Sequence, residues 1–349
     1  MIDKKNIHKN FSKKIIICPN CKSNKISHKK KKLICDDCNE SYPIVYGIPI
    51  LITKENCRKL NLNYYKKNLE IEILNSKNFK LNQHGVLKYV ENILMGTSGI
   101  LYENIKNLKN YPIANVPFTK KENNKKLYFL DIGCGWGRWT INAVQKNYKC
   151  IGIDISIHSL IAAKKISEEL NLKDCFFICC DVKNMPLKNN SFDCVFSFSF
   201  LQHFSENNLK IILKNTLNKM KYKGTFKTQM VNKFSLRGLY NSFKIKYFSA
   251  RMIKSGKMDE RTDEDNFTVR YFGIIKIFQI FKQYFIINKI ENYSFFTQAQ
   301  YSDFNIFNKK LKFFLIVSNL FNLMSKYFFF LKYVSDNILL TLIKNKNNK

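Results

Sequence analysis

Arginine is scarce in this chain: only six of its 59 basic residues, at 58, 138, 237, 251, 261 and 270, carry a guanidinium. The others are lysines, scattered through every segment among abundant asparagine and isoleucine. Lys, Asn and Ile share A/T-rich codons, so the formal charge of +33 is mostly compositional and does not by itself mark a nucleic-acid surface. It still sets a field that favours anionic partners such as RNA, phosphorylated lipids and acidic membranes. Where lysine is the default, Arg237, Arg251, Arg261 and Arg270 are candidates for forked recognition of carboxylate or phosphate.

A secretory leader is also lacking. The first apolar run, Ile15-Ile16-Ile17, follows a Lys/Asn-rich stretch and leads straight into a cysteine array. The expectation is a reducing cytoplasm, metal-binding cysteines and no disulfide-linked partner. No internal repeat is present, and no uninterrupted apolar stretch reaches membrane-spanning length. Near the C-terminus, Lys312–Val317 and Tyr327–Leu331 are apolar and aromatic, but Asn319, Asn322, Ser325 and Lys326 interrupt them. That region reads either as a helix covering the core before a last strand at Ile338–Ile343, or as a basic, aromatic surface for peripheral membrane contact.

What is present suffices for a sizeable core: 349 residues, 45% apolar and 14% aromatic. The expected organisation is a zinc ribbon over 1–55, a helical connector and cofactor-site cap over 56–120, and an α/β domain over 121–349 with a substrate-side insertion at about 233–270. In the α/β part, strands are expected at Leu127–Leu130, Cys150–Ile153, Phe176–Ile178, Cys194–Phe198 and Thr225–Met230, alternating with helices. That alternation predicts a doubly wound, mostly parallel sheet. Leu209, Ile212, Leu213, Leu217 and Met220 recur at helical spacing behind Ser205, a candidate N-cap. Ile274–Phe281 reads as a further helix.

Cys18-Pro-Asn-Cys21 and Cys35-Asp-Asp-Cys38 are two CxxC knuckles that can present four thiolates tetrahedrally to Zn²⁺. Four ligands leave no open position, so this zinc is expected to be structural, and His28 between the knuckles to be a surface residue. With the following Tyr42-Pro43-Ile44-Val45-Tyr46-Gly47-Ile48-Pro49, residues 15–53 resemble the small zinc-ribbon activating subunits of tRNA, rRNA and translation-factor methyltransferases. The resemblance implies a ribbon that stabilises a methyltransferase through an added strand, here as a built-in copy.

The strand ending in Asp131 runs into Gly133-Cys134-Gly135-Trp136-Gly137 and then a helix. Glycines there permit a tight turn and close backbone approach to a ligand. Arg138 stands where a dinucleotide fingerprint needs its third glycine, and a carboxylate directly before the loop would repel a pyrophosphate. It would attract the ammonium and sulfonium of S-adenosylmethionine. Asp154 ends the second strand, where it can accept from both ribose hydroxyls. Asp181 follows the third, where it can accept from an adenine amino group while Val182 offers its backbone N–H. This set, with Met185-Pro186-Leu187, Ser191–Ser197 and Leu201-Gln202-His203-Phe204, resembles class I S-adenosylmethionine-dependent methyltransferases with small-molecule, lipid and glycan substrates. The resemblance covers about residues 96–232 and assigns Asp131, Gly133, Gly135, Gly137, Asp154, Asp181 and Val182 to the cofactor. A departure is Lys223-Gly224, read as a turn before the fifth strand where the family often has Pro-Gly-Gly.

For catalysis the candidate base is His203, after the fourth strand, with Ser197 and Gln202 as polar alternatives. Tyr102, behind the glycine-flanked run Gly96-Thr97-Ser98-Gly99, is a candidate for a loop closing over the cofactor. No Asn/Asp-Pro-Pro-Tyr/Phe run follows the fourth strand, which argues against the usual adenine-N6 and glutamine-N methyltransferases. No Pro-Cys pair is there to attack cytosine C5. The expected activity is methyl transfer to an oxygen or nitrogen of a small-molecule, glycan or lipid-linked acceptor. RNA methylation and a non-catalytic scaffold are the alternatives.

Overall fold

The computed structural model describes residues 15–97, 100–102, 105–118, 126–235, 272–297, 299, 301–328 and 330–344. Arg237, Arg251, Arg261, Arg270, most of the expected insertion and the Ser98-Gly99 pair lie outside the described residues.

Two sheets form. The first holds four short antiparallel strands in chain order: β1 (Ile26–Lys29), β2 (Lys32–Cys35), β3 (Ser41–Val45) and β4 (Ile48–Pro49). Tyr46 and Gly47 both adopt positive φ between β3 and β4, the conformation that a two-residue hairpin with native strand twist requires. The second sheet has seven strands: β5 (Tyr128–Ile132), β6 (Lys149–Asp154), β7 (Cys175–Cys179), β8 (Phe192–Ser197), β9 (Met220–Val231), β10 (Ile286–Ser294) and β11 (Asn337–Ile343). Their hydrogen-bonded order is β10-β11-β9-β8-β5-β6-β7. This is the doubly wound order, with the last strand antiparallel between the fifth and sixth.

The chain divides into two compact units. The first comprises Met1–Phe79, Phe118–Val195 and Asn215–Gly224. Here β5, β6 and β7 pair in parallel, as the near-continuous apolar runs FLDI, CIGI and CFFIC demand of strands buried on both faces. The helices Arg138–Gln145 and Ile157–Glu169 connect them, and Ile141, Ala143, Leu160, Ile161, Ala162 and Ile166 are buried. Ser156 caps the second of these helices by accepting from Ser159 N–H at 3.3 Å.

The ribbon belongs to this unit and is stitched to it through backbone. Ile17 N–H donates to Pro186 O at 3.0 Å and Lys188 N–H to Ile15 O at 2.8 Å. Ile50 bridges Cys179 in parallel, and Leu51 N–H donates to Cys179 O at 2.7 Å. The segment after β4 therefore meets β7, the last strand of the seven, through a single bridge rather than as a further strand of the sheet.

One local expectation is corrected. Lys223-Gly224 is not a turn before the fifth strand, because β9 starts at Met220, directly after the helix Glu206–Lys219. The Lys219 ammonium is buried against Leu187 O at 2.6 Å and Asn189 Oδ1 at 2.8 Å, which fixes the point where the chain straightens. Lys223 (φ 58°) and Gly224 then form a kink inside the strand, where a Cβ on Gly224 would sit 2.8 Å from Lys221 O.

The second unit comprises Lys80–Pro117, Phe196–Lys214 and Thr225–Lys349. β11 lies antiparallel between β9 and β10, and six of its seven residues, Asn337 and Thr341 among them, are buried. The helix Ile274–Phe281 buries Ile277, Ile280 and Phe281, and Phe226 packs on Phe285 with ring centroids 5.6 Å apart. A longer helix, Lys309–Met324, follows an Asn308 cap whose Oδ1 accepts from Leu311 N–H at 3.0 Å.

Candidate active site

The winding of the sheet reverses at β5, and the loop leaving β5 is the glycine run. Gly133, Gly135 and Gly137 all have positive φ, at 71°, 52° and 83°. Two of them serve different ends. A Cβ on Gly137 would come within 2.9 Å of Ala163 Cβ, so this glycine lets the helix Arg138–Gln145 approach its neighbour. A Cβ on Gly135 would meet nothing within 4 Å, so at this position the space is left open above the loop. Gly133 and Cys134 donate their N–H groups to Ile153 O at 2.9 and 3.0 Å, locking the loop to the end of β6.

Asp154 ties the same corner together. Its two carboxylate oxygens accept from Gly135 N–H at 3.0 Å and Ser156 N–H at 2.8 Å. Each oxygen keeps a lone pair for a further donor. Burial raises its pKa, opposed by those backbone bonds.

Asp131 is 1% exposed, and Thr140 Oγ1 donates to its Oδ2 at 2.6 Å. Burial pushes its carboxyl from 3.8 to about 7; the Thr140 bond works against this and the nearby Asp154 reinforces it. Burial favours the neutral form of this acid, and a cation bound beside it would favour the ionised one.

Asp181 stands two residues past β7, where its Oδ1 caps a short helical turn by accepting from Lys183 N–H at 2.8 Å. Val182, the first residue of that turn, is buried. Asp131, Asp154 and Asp181 thus leave the C-terminal ends of the three adjacent parallel strands β5, β6 and β7. Two residues escaped the sequence reading. Thr140, a polar side chain on the buried face of its helix, was the visible signal for a carboxylate partner. Tyr64, whose hydroxyl donates to Ile155 O at 2.8 Å beside Asp154, carried no signal because its contact spans 91 residues. A cavity of about 420 Å³ opens beside it, lined by Tyr64, Leu69, Ile73 and His158 among others.

The cysteine array folds into one cluster. The Sγ atoms of Cys18, Cys21, Cys35 and Cys38 all lie within 4.8 Å of one another, with Cys18–Cys38 at 3.7 Å and Cys21–Cys35 at 3.5 Å. A tetrahedron with Zn–S near 2.3 Å has edges of about 3.8 Å, so the cluster fits that ion. The two knuckles are built alike. Lys22 (φ 64°) and Asn39 (φ 56°) each follow the second cysteine, and each donates its N–H to the first cysteine's carbonyl, at 3.0 and 2.9 Å. Tyr42, fully buried, has its hydroxyl 3.1 Å from Cys18 Sγ, a hydrogen bond that supports a thiolate ligand. His28 is exposed on β1.

The remaining expected residues fall in the second unit. His203 ends a short helical turn over Leu201–His203, and its Nε2 lies 3.2 Å from Ser199 O. Ser199 has φ 50°, uncommon for a residue with a side chain, and is held there by Gln229. Gln229 Oε1 accepts from Ser199 N–H at 2.8 Å and from its hydroxyl at 3.0 Å. Gln229 Nε2 in turn donates to Asn337 Oδ1 at 2.5 Å, and Asn337 Nδ2 to Ser294 Oγ at 2.7 Å. Ser197 and Gln202 are buried, and the Ser197 hydroxyl and Gln202 Oε1 make no hydrogen bond among the described residues. Tyr102 is buried with its hydroxyl on the Asp303 carboxylate and its ring edge-on to Phe307 at 5.1 Å. No loop motion follows from that packing.

Comparison with known proteins agrees with this geometry. Residues 129–224 match the family described as a methyltransferase domain. On a doubly wound sheet whose first strand runs into a glycine loop, that match makes the segment a Rossmann-like methyltransferase domain. Among individual proteins, the chain is 32% identical over 146 residues to an uncharacterized protein of Methanocaldococcus jannaschii, covering 40% of this chain and 57% of that relative. Similar solved structures include an S-adenosylmethionine-dependent methyltransferase from Methanosarcina mazei (15% identity, 64% of this chain and 94% of that one, TM-score 0.44). Another is phosphoethanolamine N-methyltransferase 2 of Haemonchus contortus in complex with S-adenosyl-L-methionine (20% identity, 63% and 49%, TM-score 0.40).

Proposed function

We propose that the protein is a cytoplasmic S-adenosylmethionine-dependent methyltransferase acting on an oxygen or nitrogen of a small-molecule, glycan or lipid-linked acceptor. The observation that carries the reading is the buried Asp131 carboxylate beside an open glycine loop. Burial and the nearby Asp154 disfavour its charge, and an ammonium brought by the cofactor would offset both. Asp131 holds the ammonium end. Asp154 accepts from the ribose hydroxyls through the lone pairs its backbone bonds leave. The second oxygen of Asp181 accepts from the adenine amino group, and Val182 N–H faces a ring nitrogen. Gly133, Gly135 and Gly137 give the backbone its close approach.

When bound, S-adenosylmethionine would supply a sulfonium methyl group, to which an acceptor lone pair bonds in line as the carbon–sulfur bond breaks and its electron pair stays on a neutral thioether. The protein's tasks are alignment of the acceptor and removal of its proton. His203 is the base. With Nε2–H donated to Ser199 O, the neutral ring carries its lone pair on Nδ1, and the Gln229–Asn337–Ser294 chain fixes the Ser199 carbonyl that selects this tautomer. The cysteine cluster holds a structural zinc, which supplies folding energy to the ribbon and to the segment that bridges β7.

Isothermal calorimetry on the full chain tests the reading. One S-adenosylmethionine is expected to bind per chain, with affinity lowered at least about tenfold by Asp154→Ala, since hydrogen bonds to a charged group are lost. A wild-type protein that binds none refutes it.

A further inference from the structure

The helix Lys309–Met324, within the second unit, presents a large apolar stripe to the outside. Phe313, Ile316, Leu320, Leu323 and Met324, and Tyr327 just beyond, recur at helical spacing and form one stripe about 100° wide. All face outward: Phe313 is 62% exposed, Leu320 54% and Tyr327 86%. The opposite face carries the polar groups, and these are turned inward and bonded. Ser318 Oγ accepts from Phe295 N–H at 3.0 Å, Asn322 Nδ2 donates to Tyr293 O at 3.0 Å, and the Ser325 hydroxyl donates to Asn322 O at 2.7 Å. Asn322 and Ser325, which break the apolar run in the sequence, are the residues that fasten the helix down. Leu315 is buried beside them and Phe321 packs on Phe295 and Phe296, yet most of the large apolar side chains of the helix stay outside, a contiguous patch of the kind that marks an interaction surface.

The patch is not a scatter. Of the twenty large apolar side chains exposed among the described residues, ten lie between Phe313 and Tyr333. The stretch from 304 to 335 contains no Asp or Glu, and carries Lys309, Lys310, Lys312, Lys326 and Lys332. Lysines therefore flank the apolar stripe at both ends. The sixteen-residue helix is about 24 Å long. Among the described residues, no helix is long and apolar enough to cross a membrane.

We infer that this face docks on an anionic lipid surface, with the helix lying in the interfacial plane. The stripe enters the headgroup–acyl boundary, and the flanking lysines reach the phosphates. Charge complementarity decides the occupant. A second copy meeting this face about a two-fold axis would bring lysines against lysines with no carboxylate between them. The rings of the stripe, Phe313 and Tyr327, stand near its two ends, and the aliphatic Ile316, Leu320 and Leu323 between them offer a nucleic acid nothing to stack on. The inference stands apart from the methyl-transfer reading, and neither needs the other.

Vesicle co-sedimentation of the full chain tests it. The wild type is expected to sediment with vesicles of phosphatidylcholine and phosphatidylglycerol, and far less with phosphatidylcholine alone. Lys309→Gln/Lys310→Gln/Lys312→Gln is expected to lower the anionic partition about a hundredfold, at about fivefold per lysine near the surface. Ile316→Gln/Leu320→Gln/Leu323→Gln is expected to abolish sedimentation at a nearly unchanged melting temperature, since about half of each residue already faces out. Wild-type protein that stays in the supernatant overturns the inference, as does equal partition onto neutral and anionic vesicles. So does a wild-type dimer that this variant converts to a monomer, which would give the stripe to a second copy. Binding of RNA lost in the same variant, without vesicle binding, would give it to a nucleic acid.

Discussion

Replacing Asp131 by Asn should make the ligand-free protein more stable and the cofactor site weaker. In the folded chain burial raises this carboxyl from 3.8 to about 7, so the native state holds a proton that the unfolded chain has already released. Between those values the native state binds more protons, and stability falls as pH rises through the window. The interval from 3.8 to about 7 corresponds to about 4 kcal/mol of stability, present in full below pH 4 and lost in full above pH 7. Asn keeps the acceptor for Thr140 and carries no charge to bury. Asp131→Asn should therefore raise stability at pH 8 by up to about 4 kcal/mol and change it little at pH 4. The same variant should lose S-adenosylmethionine affinity by about 10- to 100-fold, the worth of a charge-assisted hydrogen bond. In the wild type, binding should release a proton near pH 6.5 and weaken about tenfold per pH unit below 7. Denaturation at pH 4 and pH 8, with calorimetry in buffers of different ionisation enthalpy, reads all of this. An Asn variant that is less stable than wild type at pH 8, or whose pH dependence parallels the wild type's, refutes the reasoning.

Other outcomes follow from single contacts. Gly137→Ala forces positive φ on a side chain 2.9 Å from Ala163 and should cost about 1–3 kcal/mol in a melting experiment. Gly135→Ala meets no protein atom, so it should cost the fold less, about 1 kcal/mol, and show its main effect as lost cofactor binding by calorimetry. Elemental analysis should find one zinc per chain; Cys35→Ser should remove it and lower the melting temperature, and a metal-free wild type would exclude the zinc. His203→Ala should leave cofactor affinity intact and lower turnover about 10²- to 10⁴-fold, whereas full turnover excludes the base. Gln229→Leu leaves the Ser199 N–H without its acceptor; it should shift the His203 tautomer ratio read by ¹⁵N NMR, and an unchanged ratio excludes the positioning role.

Much of the fold could be read along the chain because it is written in short-range pattern. The apolar runs that became β5 to β8 sit within one or two residues of their expected bounds, and Ser205 does cap the following helix, accepting from Asn208 N–H at 3.4 Å. The CxxC pairs and the glycine loop are equally local, because a turn's φ requirement falls on the residue that makes it. Long-range pairings left no such mark. Nothing in Ile50-Leu51 says that they align with Cys179, and β10, with its alternating polar residues, passed unnoticed. The start of β9 was misplaced because Lys223-Gly224 is turn chemistry that the strand absorbs as a kink.

The sequence by itself determined the chemistry available: four thiols at ribbon spacing, three aspartates after three apolar strands, and glycines where the loop must turn. These depend on residue type and spacing, which folding does not alter. Only the tertiary structure decided what state those groups are in. It buried Asp131 beside Thr140 and raised its pKa, bridged the ribbon's last segment to β7, and turned the helix Lys309–Met324 so that its apolar stripe faces out. Burial, sheet register and helix rotation arise from contacts between segments far apart in sequence, and no local pattern encodes them.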